Sequence, residues 1–265
     1  MIKRKSVSAI VPTFNEERTV AKVIKTLLKS PLINEIICVD DGSIDNSLTV
    51  LKKFKNKIGL IDLKKNYGKG FALAVGIKKA KGEIVAFIDA DLTTLSDNHI
   101  ATLLNPILKG KAKAVLGYPC KGWYAPYFFS NLTGERAYYK KDLTPHLEKI
   151  AKTQFGVEIF LNGLFDKKKT KKILLKQLAG LYKYEKHNST DAFKEYLGEA
   201  VEIAQEIGRK EGLLPEDYKI IANLNKITNL KELRKKVKKI QSMQVKQFLE
   251  KYILKYVKKA QKRKS

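Results

Sequence analysis

Apolar and polar positions along the chain fall into short β-branched runs separated by helical stripes. Val7-Ser8-Ala9-Ile10-Val11-Pro12 reads as a buried strand stopped by its proline. Asn15, followed by Glu16 and Glu17, then reads as the N-cap of a helix with acids in its first turn. Val20, Val23, Ile24, Leu27 and Leu28 lie on one face of that helix, and Pro31 closes it. The same alternation continues: a strand from Glu35 to Asp40, a helix from Leu48 to Lys55, a strand from Ile58 to Leu63, a helix from Phe71 to Ala80 and a strand from Ile84 to Asp89. A helix from Asp97 to Leu108 and strands from Ala112 to Leu116 and from Ile173 to Leu181 follow.

Strand–helix alternation at this spacing predicts an α/β fold, a mostly parallel central sheet flanked by helices. In such sheets ligands gather outside the carboxyl ends of the strands. Those ends carry Pro12 to Glu16, Asp40-Asp41 and Asp89-Ala90-Asp91. Asp89 and Asp91, two apart on a strand end, point the same way, and two carboxylates held together call for a cation between them. Mg²⁺ or Mn²⁺ suits oxygen ligands of this kind and brings phosphate with it. Taken alone, an Asp-x-Asp is as readily two acids entering a surface turn; three polar clusters converging on one edge are what favour the cation.

At 265 residues the chain builds a large core without staples. Cys38 and Cys120 form neither a disulfide framework nor a metal-ligand spacing, which excludes a disulfide scaffold and a zinc finger. The first strand begins at Val7, leaving no room for a signal peptide, and no apolar run approaches the roughly 18 residues of a membrane span. The expectation is a cytoplasmic protein, or one peripheral on the cytoplasmic face of a membrane. The net charge is +26, carried far more by lysine than by arginine. Such a surface attracts polyanions, but it equally reflects lysine-rich usage throughout, and charge alone names no partner.

Val11-Pro12-Thr13-Phe14-Asn15-Glu16, Asp40-Asp41-Gly42-Ser43, Gly68-Lys69-Gly70 and Asp89-Ala90-Asp91, in this order, resemble the family 2 glycosyltransferases of GT-A fold. Within them the nearest pattern is the dolichyl-phosphate-mannose-synthase-like group. The likeness is strong over residues 6–120 and looser over 130–190. It implies a metal-dependent transfer from a UDP- or GDP-linked sugar. Pro12, Thr13, Asn15 and Glu16 would hold base and ribose, Asp41 would contact the base, and Lys69 would reach the diphosphate. Asp89, Ala90 and Asp91 would form the DXD motif that binds metal and donor, with Asp91 also counted as catalytic. Thr133-Gly134-Glu135-Arg136-Ala137 resembles the acceptor segment, making Gly134 and Arg136 acceptor-binding candidates. Gln154-Phe155-Gly156-Val157-Glu158 resembles a segment shared with glucosyl-3-phosphoglycerate-synthase-like enzymes, with Glu158 as the group that orients or deprotonates the acceptor. His187 is the candidate third metal ligand. The acceptor implied is polyprenyl phosphate; the alternative is a soluble hydroxyl.

Two stretches stand outside these motifs. Tyr118, Trp123, Tyr124, Tyr127, Phe128 and Phe129 crowd a proline- and glycine-containing loop that reads as an acceptor wall, a lid, a lipid-dipping rim or a satellite core. Residues 188–265 differ from the catalytic region at 1–187: a helix from Ser189 to Arg209, a break at Gly212 to Pro215, then a basic stripe marked by Leu233, Val237, Ile240, Phe248, Leu249, Tyr252, Ile253, Tyr256 and Val257. That helical C-terminal extension suits an anionic membrane surface, a dimer or a fold-back onto the catalytic region. A purely basic lipid- or nucleic-acid-binding module is the rival class; the ordered motifs speak against it, and no nucleic-acid partner is expected. A nucleotidyltransferase would open with a glycine-rich, arginine-containing loop, which Val11 to Glu16 lacks.

Overall fold

A computed structural model describes residues 5–120, 131–153, 156–181, 185, 189–227 and 229–253. The chain forms two compact units, Met1–Gly180 and Leu181–Ser265. The first is built on one seven-stranded sheet. In chain order its elements are β1 (Val7–Thr13), α1 (Val20–Lys29), β2 (Glu35–Asp41), α2 (Ser47–Lys52), β3 (Gly59–Leu63), α3 (Lys69–Lys79), β4 (Ile84–Phe87) and α4 (Asp97–Leu108). There follow β5 (Ala114–Cys120), β6 (Glu135–Tyr139), the short helices α5 (Lys140–Leu143) and α6 (Leu147–Ala151), α7 (Val157–Leu164) and β7 (Thr170–Lys176).

The sheet order is β3-β2-β1-β4-β6-β5-β7. β1, β2, β3 and β4 are parallel, β6 runs against both β4 and β5, and β7 is parallel to β5. The chain leaves β1 in one direction for β2 and β3, then returns to the other side of β1 with β4. That reversal between β1 and β4 is the crevice where open α/β sheets take ligands.

Strand parity decides what faces what. Val7, Ala9 and Val11 of β1 pack with Ile84 and Ala86 of β4 against α1 and α4. Ile10, with Ile37 and Val39 of β2 and Val85 and Phe87 of β4, faces α3 and α7. A Cβ at Gly76 would meet the Ile10 side chain, so glycine there lets α3 lie close on β1. Counting on from Phe87, alternation turns Asp89 toward the α3 and α7 face.

The α/β architecture agrees with the expectation, and five details correct it. Asn15 is not an N-cap: α1 starts at Val20 after Thr19, and Asn15 sits in the left-handed region with φ 56°. Lys69 is not a loop residue but opens α3. The segment that resembles an acceptor segment, given no secondary structure from the sequence, contains the strand β6. The strand expected from Ile173 to Leu181 runs from Thr170 to Lys176, and Gln177 then turns with φ 63°. The C-terminal stripe is two helices, as the second unit shows.

That second unit contains α8 (Ser189–Glu211), α9 (Pro215–Ala222), α10 (Leu230–Lys238) and α11 (Met243–Tyr252). Gly212, at φ 72°, ends α8, and Pro215 opens α9 with a ring that needs no hydrogen-bond donor there. Asp217, buried, accepts from the backbone of Gln241 (2.8 Å) and Ser242 (2.9 Å), fixing the turn between α10 and α11. Leu233, Val237, Ile240, Phe248, Leu249, Tyr252 and Ile253 are all buried. The apolar stripe expected to face a membrane or partner is therefore covered, and the outward side of α10 is cationic. Among the described residues no helix is long and apolar enough to cross a membrane.

Candidate active site

Three loops leave the carboxyl ends of β1, β2 and β3, and the sequence ties them to one another. Ser43 Oγ accepts from the backbone of Asn15 at 3.0 Å, and Asn15 Oδ1 accepts in return from Ile44 at 2.9 Å. Ser47 Oγ accepts from Glu16 at 2.7 Å, and Asp45 accepts from Glu17 at 3.1 Å. Glu17 reciprocates by accepting from Asn46. The left-handed backbone of Asn15, which asparagine tolerates better than most residues, aims its amide into this latch.

The third loop is held by Asp41. Its carboxylate, buried at the end of β2, accepts from the backbone of Tyr67 at 2.9 Å and Gly68 at 2.8 Å, just ahead of α3. Burial raises its pKa, and these two hydrogen bonds oppose the rise. Gly42, at φ 71°, lies where any Cβ would collide with the backbone of Lys65 and Asn66. Asp41 was expected to contact a base; both its oxygens accept from this loop. Its neighbour Asp40, also raised by burial, takes the Ser43 N–H on one oxygen and keeps the other buried with no partner. Thr13 and Ala90 are buried, Thr13 bonding Val11 O and Ala90 packing in the α1/α4 core. Neither side chain serves the rim as expected. Pro12 stays in β1 opposite Val39. What this edge does present outward is apolar: Phe14 and Tyr67 are each 41% exposed and Ile44 is 90% exposed.

The chemistry lies at the end of β4. Lys69 Nζ sits 2.8 Å from Asp89 Oδ1 and 2.9 Å from Glu158 Oε1. Burial by itself would lower the lysine's pKa; the two carboxylates outweigh it and raise the value well above the ordinary one. Lys69 was expected to reach the diphosphate, and Glu158 to serve the acceptor. The structure pairs them directly with each other, with Asp89 on the same ammonium.

β6 delivers two further groups. Its register places Gly134 beside Asp89, and a Cβ built at Gly134 would fall on the Asp89 carboxylate. Glycine at 134, expected to touch an acceptor, thus gives clearance to Asp89. Arg136 is 1% exposed. Its guanidinium donates to the carbonyls of Thr133 and Asn131 (both 2.7 Å), to Asn162 Oδ1 (2.9 Å) and to the Tyr138 hydroxyl (3.0 Å). It pins α7 and the 131–133 turn to β6, where the expectation was a grip on an acceptor.

Glu135 was not among the expected site residues. It is buried, and desolvation, reinforced by Asp89 and Asp91, pushes its carboxyl up to about 8 against the opposing effects of Thr133 and Lys69. The Thr133 hydroxyl lies 2.8 Å from Glu135 Oε2 and also against the Gly117 carbonyl. One hydroxyl proton cannot serve two acceptors, so a protonated Glu135 that donates to Thr133 completes the pattern. Its folded-state proton is then held to about pH 8, whereas an unfolded glutamate releases it near the ordinary value of 4.5. Stability is lost as pH rises through that window, by up to about 1.4 kcal/mol per pH unit. In EDTA, Glu135→Gln should gain on the wild type in urea unfolding steadily from pH 5 to pH 8. Parallel stability curves would show that Glu135 is ionised throughout.

Asp91 packs against Gly180, where a Cβ would stand 3.0 Å from its Oδ1. That segment is pinned by an isolated bridge between Leu92 and Gly180 and by Thr93 and Thr94 bonding to Ala179 and Gln177. Asp89 and Glu158 thus both pair with the Lys69 ammonium, and Asp91 and a protonated Glu135 adjoin them, which leaves an excess of negative charge that suits a cation. Among the described residues no three donors already converge on a metal position. The expected third ligand, His187, and the aromatic residues at 123–129 lie outside the described residues. His99 is taken up in capping α4 and bonding Lys176 O.

Comparison with known proteins gives the family and the fold. Residues 8–174 match the family model of glycosyl transferase family 2. Dodecaprenyl-phosphate galacturonate synthase of Rhizobium johnstonii is 27% identical over 146 residues, 48% of this chain and 43% of that protein. Undecaprenyl-phosphate 4-deoxy-4-formamido-L-arabinose transferase of Proteus mirabilis is 36% identical over 98 residues, 34% of this chain and 30% of that protein. The matches span less than half the length of these relatives. Glucosyl-3-phosphoglycerate synthase from Mycobacterium tuberculosis, solved with Mn²⁺, UDP-glucose and phosphoglyceric acid, superposes with a TM-score of 0.58. It is 21% identical, over 77% of this chain and 80% of that one, a likeness of fold.

Proposed function

The chain belongs to glycosyl transferase family 2, and we propose that it transfers a sugar from a nucleoside-diphosphate sugar to polyprenyl phosphate with the help of a divalent cation. The observation that carries this reading is the surplus of carboxylate at the end of β4, in the crevice where the strand order reverses. Hard oxygen donors with net negative charge suit Mg²⁺ or Mn²⁺, and a diphosphate would complete the ligand set. Asp89 and Asp91 are the residues that would hold the ion, with His187 as a further candidate. The ion would supply the positive charge that offsets the departing nucleoside diphosphate.

Each remaining group follows from its position. Lys69 and Glu158 keep Asp89 fixed, and Gly134 leaves room for it. The latched loops around Asn15, Glu16 and Asp41 make a rigid rim for base and ribose, with Phe14 and Tyr67 offering exposed rings to a base. Glu158, committed to Lys69, is poorly placed to take a proton from a hydroxyl acceptor. A phosphate acceptor needs no such base, being anionic already, which favours polyprenyl phosphate over a soluble alcohol. The names of two relatives speak of dodecaprenyl and undecaprenyl phosphate. In the second unit Lys231, Arg234, Lys235 and Lys238 line a cavity of about 520 Å³ along α10, a cationic face suited to the anionic cytoplasmic surface of a membrane.

A panel of UDP- and GDP-sugars tests the donor half of this proposal. One of them at about 100 times its Kd should stabilise the protein by about 2.7 kcal/mol when Mn²⁺ is present. The melting temperature should rise accordingly, and clearly less in EDTA. Labelled sugar should then appear in the organic phase when undecaprenyl phosphate is added. If no nucleotide sugar stabilises the chain, or metal makes no difference, the donor site is misread; label confined to the aqueous phase would point to a soluble acceptor.

A further inference from the structure

The opposite ends of the strands carry a second feature that the transfer reaction does not use. Lys5, Lys111, Lys113, Lys141, Lys168 and Lys169, together with Tyr139, line a cavity of about 440 Å³. Four separate segments meet there: the residue leading to β1, the turn into β5, the start of α5 and the turn into β7. All lie at the edge where β1, β5 and β7 begin and the antiparallel β6 ends. Asp89 and Glu135 lie at the other edge, the full length of β4 and β6 away.

Lysine is abundant everywhere in a chain of net charge +26, so abundance is no argument. Convergence is. Lys113 and Lys169 lead into paired strands, Lys113 N–H donating to Lys169 O at 2.8 Å, so like charges stand side by side, an arrangement that costs stability without a counter-charge. Of the nearby acids, Asp142 reaches Lys113 only at 4.0 Å, and Asp166 caps the turn at Lys168. Lys5 and Lys113 sit over the Tyr139 ring at 5.4 and 5.5 Å, and the Tyr139 hydroxyl donates to Ile107 O. Among the described residues of the lining the one aromatic group is thus already occupied. None of them is left to stack on a base or read a sugar; what they present is a concave set of compact positive charges.

We propose that this cavity is a second anion site, separate from the carboxylate cluster, that takes a compact, multiply charged phosphate such as inorganic diphosphate or a short polyphosphate chain. Its size is that of a small-ligand pocket, and six ammonium groups match several phosphate charges on a ligand without a base.

Calorimetric titration of the full chain with inorganic tripolyphosphate, in EDTA to silence a metal-dependent site, tests the proposal. Binding should saturate at one site per chain and weaken about tenfold or more when salt rises from about 50 to about 300 mM. The triple variant Lys111→Ala/Lys113→Ala/Lys169→Ala should lose at least about tenfold in affinity. A control, Lys53→Ala/Lys55→Ala/Lys57→Ala, removes equal charge from the far end of the same sheet edge and should stay within about twofold of wild type. These lysines are exposed, and circular dichroism with melting curves checks that both variants fold. Equal losses in the two variants would mean diffuse charge rather than a site. Unchanged binding in the first variant, no saturable binding at all, or tighter binding of a short single-stranded oligonucleotide to the same lysines would also overturn the proposal.

Discussion

Asp91→Ala is expected to abolish the melting-temperature rise given by nucleotide sugar plus Mn²⁺ and to lower kcat/KM by about 10³ or more, roughly 4 kcal/mol of transition-state stabilisation. The ligand-free protein should keep its fold. Asp91 is half-buried, and its charge is one of the influences that raise the Glu135 carboxyl pKa. The variant's own melting point should stay within a few degrees of wild type. Stability kept and function lost is what distinguishes a group retained for a ligand from one retained for packing. A variant that still responds to donor and metal would remove Asp91 from the site. A variant that melts about 10 °C lower would instead make Asp91 a structural residue, tied to the Gly180 segment it packs against.

How much of this could be read in the sequence depended on whether a signal was local. β1, β2 and β4 are continuous apolar runs, and their parity is enough to send Asp89 toward the helices that carry Lys69 and Glu158. The family motifs mark the correct edge of the sheet because each lies where such a run ends. β6 was illegible for the opposite reason. Glu135 and Arg136 are charged residues that normally mark a surface, and what encloses them comes largely from afar: Glu135 pairs across the sheet with Gly117, and Arg136 reaches Asn162 of α7. Missing the strand meant missing Glu135, although a glutamate one residue from an expected contact was in plain view. The latch around Asn15 was hidden likewise, because a positive φ and a bond to Ile44 leave no periodic trace. Motif residues thus proved easier to locate than to assign. Asp41, Gly134 and Arg136 each have a place in the site's construction, beside the ligand contacts that the likeness implies.

Lys69→Met tests that construction, with the largest expected effect on stability. Lys69 opens α3, where a cation meets the unfavourable end of the helix dipole, so its place there must be supported by its partners. Its side chain is 17% exposed, that of Glu158 is 9% and that of Asp89 is 29%. Removing the ammonium leaves two carboxylates facing each other in a largely dry space, already beside Glu135. Breaking a buried pair by deleting one partner costs about 3–5 kcal/mol, and the partial exposure of Asp89 places this case near 3. For a unit of this size that is roughly 6–12 °C in melting temperature. Part of the loss should return when Glu158→Gln is added, because the double variant no longer buries the second unpaired charge. The donor-dependent shift should not return with it, since Asp89 would still lack the group that holds it in place. Recovery of both would mean that Lys69 serves only the fold. A single variant that melts within about 1 °C of wild type would mean that the triad of Lys69, Asp89 and Glu158 does not persist in solution.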